Sequence, residues 1–354
     1  MKMNHRHWVI VLIASFLWAA PFSFAAENVK PPKLFSQFGE MQVTLTGPWN
    51  TIKKNKKKED RYPVQLVYTG ADGARHTIDA EVSLRGITRR RICRFPPLKL
   101  HFDKKNLKGT EFRGNKSLKL VTYCDINRKY EQYYIKEYLT YRIYNLITDY
   151  SFRARPMVIE YKESDKDDSI TRFGFLIEDV DDVAKRNDLE ELSIASVPFR
   201  DLDPATTSRL SLFQFMIGNL DWAATSGPKD DSCCHNSKLI GAGNDVNPKY
   251  SVPYDFDSSG LVNAHYAAPP KGLKVRNIRQ RLYRGFCTFN DELPQTVALF
   301  KEKKSDILAL FQSNTHLSDY SRERANDYIE DFYKIIDDPD SLQEDIIGKC
   351  RGQK

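Results

Sequence analysis

The sequence predicts an α+β fold with two lobes, a β-rich half followed by a mainly helical half. Short segments that alternate apolar and polar residues dominate up to about residue 180. One helical pattern interrupts them, and longer helical patterns dominate from residue 204 onward. We therefore expect a β-rich N-terminal lobe over residues 26–180 and a mainly helical C-terminal lobe over residues 181–354, with the boundary near residues 180–200 and a cleft between the two halves.

The individual elements follow from periodicity. The predicted strands are 64–68 and 76–84 around a glycine-containing turn, then 97–102, 117–123, 155–161 and 173–177. A helix is predicted over 130–147, because Ile135, Leu139, Ile143 and Leu146 recur at spacings of three and four residues. Further helices are predicted over 204–217 and 293–311.

The first 25 residues have the pattern of a signal peptide. A basic start with Lys2 and Arg6 precedes an apolar stretch that is too short to span a bilayer comfortably. Ser23 and Ala25 supply the small residues that a signal peptidase requires, so cleavage is expected after Ala25. We expect an exported protein, periplasmic or extracellular, with no transmembrane segment after cleavage.

The charge of the chain does not indicate nucleic-acid binding. Removal of Lys2 and Arg6 lowers the formal net charge from +7 to +5, and the positive residues that remain are locally clustered. One cluster lies at 53–58 and is expected to be a solvated loop. The other lies at 89–91, close to the motifs described below, and could meet phosphate. We expect no nucleic-acid partner.

The six cysteines indicate disulfide bonds. An even number of cysteines in an exported protein is typical of disulfides, and the chain lacks the CxxC pairs of a zinc site. Cys93 directly precedes one predicted strand and Cys124 directly follows another. If those strands are antiparallel neighbours, both cysteines lie at the same end of the pair, so we predict a Cys93–Cys124 disulfide.

Several candidate catalytic and binding residues follow one another along the chain. A lysine lies in an apolar strand, either Lys99 or Lys119, and Glu137 follows on the predicted helix. Asp221 lies between Leu220 and Trp222, where an unpaired carboxylate would be costly to bury. The last members are Asn236, in the run 235–239, and the two aspartates of Asp255-Phe256-Asp257.

These residue types suit phosphoryl transfer. A strand lysine held by a helix glutamate would neutralise nucleotide phosphates, and one aspartate would orient the attacking hydroxyl. An asparagine and another aspartate would hold Mg²⁺, which prefers oxygen ligands and keeps part of its water shell. We expect Asp221, Asn236, Asp255 and one of the two lysines to converge within about 10 Å of a common point.

The run from about Leu84 to Gly260 resembles the CotH family of atypical, protein-kinase-like kinases. The resemblance rests on the Leu84-Arg85-Gly86 segment before the strand of Lys99, on the His-Asn segment 235–239, and on the Asp255-Phe256-Asp257 run. HipA-type kinases and a class of secreted kinases are similar more distantly. The resemblance implies a two-lobed protein-kinase-like fold, ATP as substrate and Mg²⁺ as cofactor, with Mn²⁺ as an alternative metal.

The resemblance also implies roles for individual residues. Asp221 would be the catalytic aspartate. Asn236 and Asp255 would bind the metal, and Asp257 is a candidate second carboxylate ligand. Lys99 is preferred over Lys119 as the nucleotide lysine, because its strand follows the Arg-Gly segment. Glu137 would be the partner of that lysine, and Glu178 falls where a kinase hinge would be.

Two features depart from the family pattern. The chain has no GxGxxG loop, and 15 residues separate Asp221 from Asn236, where ordinary kinases have five. Two alternatives therefore stay open. One is a catalytically inactive kinase-like binding or scaffold protein of the cell envelope. The other is a metal-dependent hydrolase that uses Asp221, Asp255 and Asp257. The acceptor of the leading hypothesis is a hydroxyl on an exported protein or on a small molecule.

Overall fold

We analysed a computed structural model of the chain. It describes Met1 and residues 33–56, 60–227 and 232–352. Every element named below belongs to one compact unit, Pro31–Lys354. Apart from Met1, the expected signal peptide lies outside the described residues.

The chain alternates strands and helices. The strands are β1 (Met41–Gly47), β2 (Arg61–Thr69), β3 (Arg75–Leu84), β4 (Leu98–Phe102), β5 (Ser117–Val121), β6 (Ala154–Glu163), β7 (Ser169–Ile177), β8 (Glu190–Glu191), β9 (Ser237–Gly241) and β10 (Lys249–Pro253). The helices are α1 (Trp49–Lys54), α2 (Thr88–Ile92), α3 (Glu131–Ile147), α4 (Val180–Lys185), α5 (Pro204–Ile217), α6 (Leu293–Glu302), α7 (Lys304–Gln312), α8 (Asp319–Asp337) and α9 (Pro339–Asp345).

Seven strands close into a barrel in the order β1-β2-β3-β4-β5-β7-β6. All neighbours pair antiparallel except β1 and β6, which run parallel and close the barrel. Alternation decides which side chains face inward. In β4, Leu98, Leu100 and Phe102 are buried whereas Lys99 and His101 are half-exposed. The inward-facing residues form the main hydrophobic core.

The predicted two-lobed, protein-kinase-like fold is wrong. It required the β-rich half to form a lobe built on a sheet, but the strands form a closed seven-stranded barrel. The difference arises at β1, which was not predicted. Met41–Gly47 pairs with β2 on one side and with β6, more than a hundred residues later, on the other. That parallel pairing removes both edges of the sheet.

The longest predicted helix of the first half is confirmed. Expected over 130–147, it is observed as α3, Glu131–Ile147, and it packs against β6 and β7 of the barrel and against α5 and α7. Tyr134, Glu137 and Tyr141 lie on one face of α3, since residues three and four apart are neighbours on a helix. All three side chains are buried. This face forms one side of the candidate site.

A small second sheet forms the opposite side of that site. It has the order β10-β9-β8, and β9 pairs antiparallel with β10 from Gly241–Lys249 at the loop end to Ser237–Pro253 at the open end. The Ser237 and Ser251 hydroxyls share a buried hydrogen bond of 2.7 Å between the two strands. The open end of this hairpin places Asn236 and Tyr254 side by side, with Asp255 next in the chain.

All six cysteines form disulfides, as expected for a protein of an oxidising compartment. The predicted Cys93–Cys124 bond is confirmed, with the two Cα atoms 4.6 Å apart. Its neighbouring strands are the antiparallel pair β4 and β5, as the prediction required. The other bonds join Cys233 to Cys234 and Cys287 to Cys350. Within the described residues, no helix is long and apolar enough to cross a membrane.

Candidate active site

Asp221 follows the end of α5, in a turn that its neighbours hold. The helix stops at Gly218, whose positive φ of 62° ends the helical path at little cost for a glycine. In the next residue, the Asn219 side-chain oxygen accepts a hydrogen bond from the Asp221 backbone N–H at 3.0 Å. The carboxylate itself is 38% exposed, so it can meet a molecule from solvent while its backbone is fixed.

Two residues from the chain before β9 contact Asp221. His235 Nε2 lies 2.7 Å from one carboxylate oxygen. The Asn236 amide donates to the backbone carbonyl of Asp221 at 2.6 Å and to the other carboxylate oxygen at 3.1 Å. Because the Asn236 nitrogen makes both contacts, its amide oxygen is left to face another ligand. The residues Asp221 and Asn236, 15 apart in sequence, are thus in direct contact.

Asp255 reaches the same place through the β9–β10 hairpin. The Tyr254 backbone N–H donates to the Asn236 carbonyl at 3.0 Å, which extends the ladder by one step. Asn236 and Asp255 both have left-handed backbones, with φ of 50° and 64°. Such conformations cost a residue other than glycine about 1–3 kcal/mol, and they cluster at functional sites. Asn and Asp adopt this conformation more readily than other non-glycine residues, and Asp188 and Asn263 adopt it as well.

Helix α3 holds the backbone of Asp255 from the other side. The Tyr141 hydroxyl accepts a hydrogen bond from the Asp255 N–H at 3.0 Å. Tyr141 is fully buried, and burial together with the charges of Glu137 and Asp255 raises its pKa well above the usual value, so the phenol stays neutral. One turn earlier on α3, Glu137 lies 3.3 Å from Arg89 of α2. Helix α3 thus links Asp255 to a buried ion pair.

Asp257 lies deeper than Asp255. Its carboxylate accepts hydrogen bonds from the Tyr266 hydroxyl at 3.0 Å and from the Ser258 hydroxyl at 3.2 Å. Burial, with the charge of Asp255 added, raises its pKa to about 6, although Arg89 opposes the shift. Burial likewise raises the pKa of Glu137 above its ordinary value, against the attraction of Arg89. The site therefore contains acidic groups that ionise reluctantly unless a cation joins them.

Arg85, which directly follows β3, and Arg89 of α2 add positive charge to the site. Arg85 lies within the electrostatic reach of Asp255 and Glu137, and Arg89 is 6% exposed. The Nε atoms of Arg85 and Arg89 are buried and have no hydrogen-bond partner among the described residues. An unpaired buried donor is costly, so each of these N–H groups lacks the acceptor that would stabilise it.

Lys119, and not Lys99, is the strand lysine beside Asp255. The two lysines are directly opposite in the β4–β5 register and project from the same outer face of the barrel. Lys119 Nζ lies 4.4 Å from the ring centre of Tyr254. Burial and the Arg85 charge lower its pKa to about 8, whereas Asp255 opposes that shift. Lys99 lies on β4, one strand farther along the barrel.

Glu178 has a different setting from the other predicted site residues. Its carboxylate pairs with Arg186 at 3.2 Å and accepts a hydrogen bond from the Arg153 backbone N–H at 2.9 Å. It lines a cavity of about 240 Å³ with Leu34 and Phe35. None of the contacts described for Glu178 involves Asp221, Asn236 or Asp255. Glu178 therefore has a structural role, because it connects the end of β7 to the residue that follows α4.

The donor set suits a hard divalent cation held by few protein ligands. Asp255 offers a carboxylate and Asn236 an amide oxygen, the ligand types that Mg²⁺ takes alongside water and phosphate oxygens. Asp257 is engaged by Tyr266 and Ser258, which makes it a weaker candidate ligand. No group of three or more His, Cys, Asp or Glu side chains in the described residues could hold a metal ion by itself.

Sequence reasoning did not identify the arginines or Tyr266. It assigned a strand lysine as the partner of Glu137, whereas the structure pairs Glu137 with Arg89. The run Arg89-Arg90-Arg91 drew attention to phosphate binding, but it does not reveal which arginine faces inward. Arg85 lies in the Leu84-Arg85-Gly86 segment, where its position at the end of a strand was a usable signal.

The chain was compared with models of protein families and with curated proteins. No family model matches the chain, and no curated protein matches it. The fold and the site define a disulfide-bonded β-barrel protein in which a mixed cationic and acidic cluster joins the barrel, α3 and the β9–β10 hairpin.

Proposed function

We propose that this protein is an exported phosphotransferase that uses ATP and Mg²⁺ to phosphorylate a hydroxyl on a protein or a small molecule outside the cytoplasm. One observation carries the proposal. The cations of Arg85 and Lys119 lie in the same cluster as the Asp255 carboxylate and the Asn236 amide oxygen, both of which are possible metal ligands. Anion-binding donors beside magnesium-type ligands are the combination that a nucleotide–metal complex requires.

Each residue of the cluster has a role in this proposal. Arg85 and Lys119 would neutralise the phosphate oxygens of ATP, and the Glu137–Arg89 pair would keep Arg89 in position. Asp255 and Asn236 would hold Mg²⁺, which supplies charge neutralisation at the phosphates. Asp221 would orient the acceptor hydroxyl and accept its proton.

The transfer step is a simple displacement at phosphorus. The acceptor oxygen forms a bond to the γ-phosphorus while the bond from that phosphorus to the β–γ bridging oxygen breaks, and ADP leaves. The proton of the acceptor hydroxyl goes to the Asp221 carboxylate, whose exposed face is open to an acceptor. His235 and Asn236 keep that carboxylate oriented through one hydrogen bond each to its two oxygens.

Localisation belongs to the same proposal. The three disulfides fit an exported protein. We propose that the signal peptide is cleaved between Ala25 and Ala26 and that the protein works in the periplasm or outside the cell. The intact mass of the protein recovered from the exporting cell tests this, and a mass that retains residues 1–25 would contradict it.

The function is tested with ATP labelled in the γ-phosphate. The purified protein is incubated with Mg²⁺, labelled ATP and the soluble contents of its compartment, and Asp221→Asn serves as the inactive variant. Label on a hydroxyl of an acceptor supports phosphotransfer. Label released only as free phosphate would instead indicate the hydrolase, and the absence of any nucleotide binding would indicate the binding or scaffold protein.

A further inference from the structure

The described part of the first basic cluster, residues 53–56, and the second cluster, residues 89–91, meet at one surface around the Cys93–Cys124 disulfide. The bond joins the segment 87–94 to the segment 124–129. The segment 53–56 lies beside the disulfide, because the Lys56 Nζ donates a hydrogen bond to the Cys93 carbonyl at 2.7 Å. Arg94 reinforces the junction with an ion pair to Asp125 at 3.3 Å. We call these three segments the disulfide surface.

The disulfide surface is strongly basic. Its exposed cations include Lys54, Arg91, Arg94, Arg128 and Lys129. Within the described residues, no ion pair involves Arg91 or Arg128, and Arg94 pairs with the one acid of the three segments, Asp125. The flanking acids are Asp60, which accepts a hydrogen bond from Asn55 at 2.6 Å, and Glu163 and Asp168, which line a cavity of about 270 Å³ with Lys53 and Ile126. The surplus of positive charge calls for an anionic partner.

The same surface exposes three large aliphatic side chains. Ile87 is 81% exposed, Ile126 is 60% exposed and Ile92 is 41% exposed. Ile87 and Arg91 are one turn apart, since the Arg91 N–H bonds to the Ile87 carbonyl, and they therefore share a side of the segment. Ile92 directly precedes Cys93 and Ile126 lies two residues after Cys124, so the disulfide holds these two isoleucines in one area. Exposed aliphatic residues among unpaired cations are typical of surfaces that lie on membranes.

We propose that the disulfide surface binds the surface of an anionic phospholipid bilayer. The arginines and lysines would contact the negative headgroups, and the three isoleucines would enter the boundary between headgroups and acyl chains. A nucleic-acid partner fits less well, because the exposed apolar residues are aliphatic and cannot stack on bases. The disulfide keeps the two lipid-facing segments together, and the inward-facing Arg89 lies on the same short helix, so the candidate active site would be held close to the membrane.

The test is flotation of the mature, oxidised protein with vesicles of stated composition. Wild type should float with vesicles made of equal parts phosphatidylglycerol and phosphatidylcholine, should not float with pure phosphatidylcholine, and should be released by high salt. The double variant Arg91→Gln/Arg128→Gln should reduce partitioning about 30-fold, since each cation near an anionic surface contributes roughly a factor of five. Ile87→Ser/Ile126→Ser should reduce partitioning while leaving the charge unchanged.

A matched control lies at the other end of the same strands. Lys104 and Lys108 are exposed after β4, about 16 Å from the disulfide end for a five-residue strand, and they have no ion pair within the described residues. Lys104→Gln/Lys108→Gln carries the same charge change and should float like wild type. Failure of wild type to bind the anionic vesicles would overturn the proposal. So would an equal loss in the control, or binding to polyglutamate but not to vesicles.

Discussion

Asn236 donates its side-chain amide to Asp221 twice, to the backbone carbonyl at 2.6 Å and to a carboxylate oxygen at 3.1 Å. This contact joins the turn after α5 to the start of β9, and it leaves the amide oxygen of Asn236 without a bond to Asp221. One asparagine thus orients the proposed proton acceptor and can ligate the proposed metal.

Asp221→Asn should reduce turnover and spare nucleotide binding. The amide retains hydrogen-bonding capacity towards His235 and Asn236, but it cannot accept the proton of an acceptor hydroxyl, so transfer should fall about 100-fold or more. The affinity for ATP with Mg²⁺ should change little. Turnover of labelled ATP and an equilibrium titration measure the two quantities. Parallel losses of binding and turnover would refute this division of roles.

Lys119→Met should weaken ATP binding about 10-fold or more, because a charged hydrogen-bond donor beside the phosphates is lost. Lys99→Met provides a matched control, since Lys99 is directly opposite on the neighbouring strand and carries the same charge. It should bind ATP nearly as wild type does. Calorimetric titration of both variants measures the difference, and equal losses would count against the assignment of Lys119.

Asp257 should make the metal-free protein less stable as the pH rises. Burial raises its pKa from 3.8 to about 6, so the folded state binds a proton that the unfolded state releases between these values. The contribution of Asp257 is fully present below about pH 4 and is lost as the pH rises through about 6. Asp257→Asn removes this titration. Urea unfolding at several pH values should show that the stability of the variant relative to wild type rises across this window. A constant difference would show that Asp257 does not titrate there.

Removal of the Cys93–Cys124 disulfide should cost about 3–4 kcal/mol, by the chain-entropy estimate for a loop of 31 residues. Cys93→Ser/Cys124→Ser is compared with wild type in denaturant unfolding under oxidising conditions. The bond is buried and joins the ends of β4 and β5, so its loss should also loosen the segment that carries Arg89. Unchanged unfolding would mean that the reduced chain already holds these segments together.

Local patterns predicted β2 to β7, α3 and α5, but they missed β1 and α8, they merged α6 and α7 into one helix, and they did not predict the closure of the barrel. Alternation indicated β4 and β5, and the spacing of apolar residues indicated α3. The pairing of β1 with β6 joins residues such as Thr44 and Glu160, whose side chains hydrogen-bond at 3.0 Å across 116 positions. The seven residues of β1 do not by themselves specify so distant a partner. The pairing with β6 depends on the cost of closing the loop between the two strands and on burial elsewhere in the chain.

The sequence allowed prediction of those site residues whose side-chain type is required by the proposed chemistry. Asp221, Asn236 and Asp255 have polar side chains in apolar surroundings, and the structure brings them to one end of the β9–β10 hairpin. Arg89 could not be identified, because three consecutive arginines look alike until the phase of α2 decides which one is buried. The choice between Lys99 and Lys119 likewise depended on which strand faces Tyr254, and that is a property of the barrel.

The central claim is that this cluster binds ATP through a metal held by Asp255, and an ATP titration of Asp255→Asn with and without Mg²⁺ tests it most directly. The matched control is Asp245→Asn, an exposed carboxylate in the loop at the opposite end of the same hairpin. Wild type and Asp245→Asn should bind ATP more tightly with Mg²⁺, and Asp255→Asn should lose that gain, about 100-fold in affinity for a charged ligand of the metal. ATP binding by the folded Asp255→Asn variant that is as tight and as Mg²⁺-dependent as that of wild type would contradict the account.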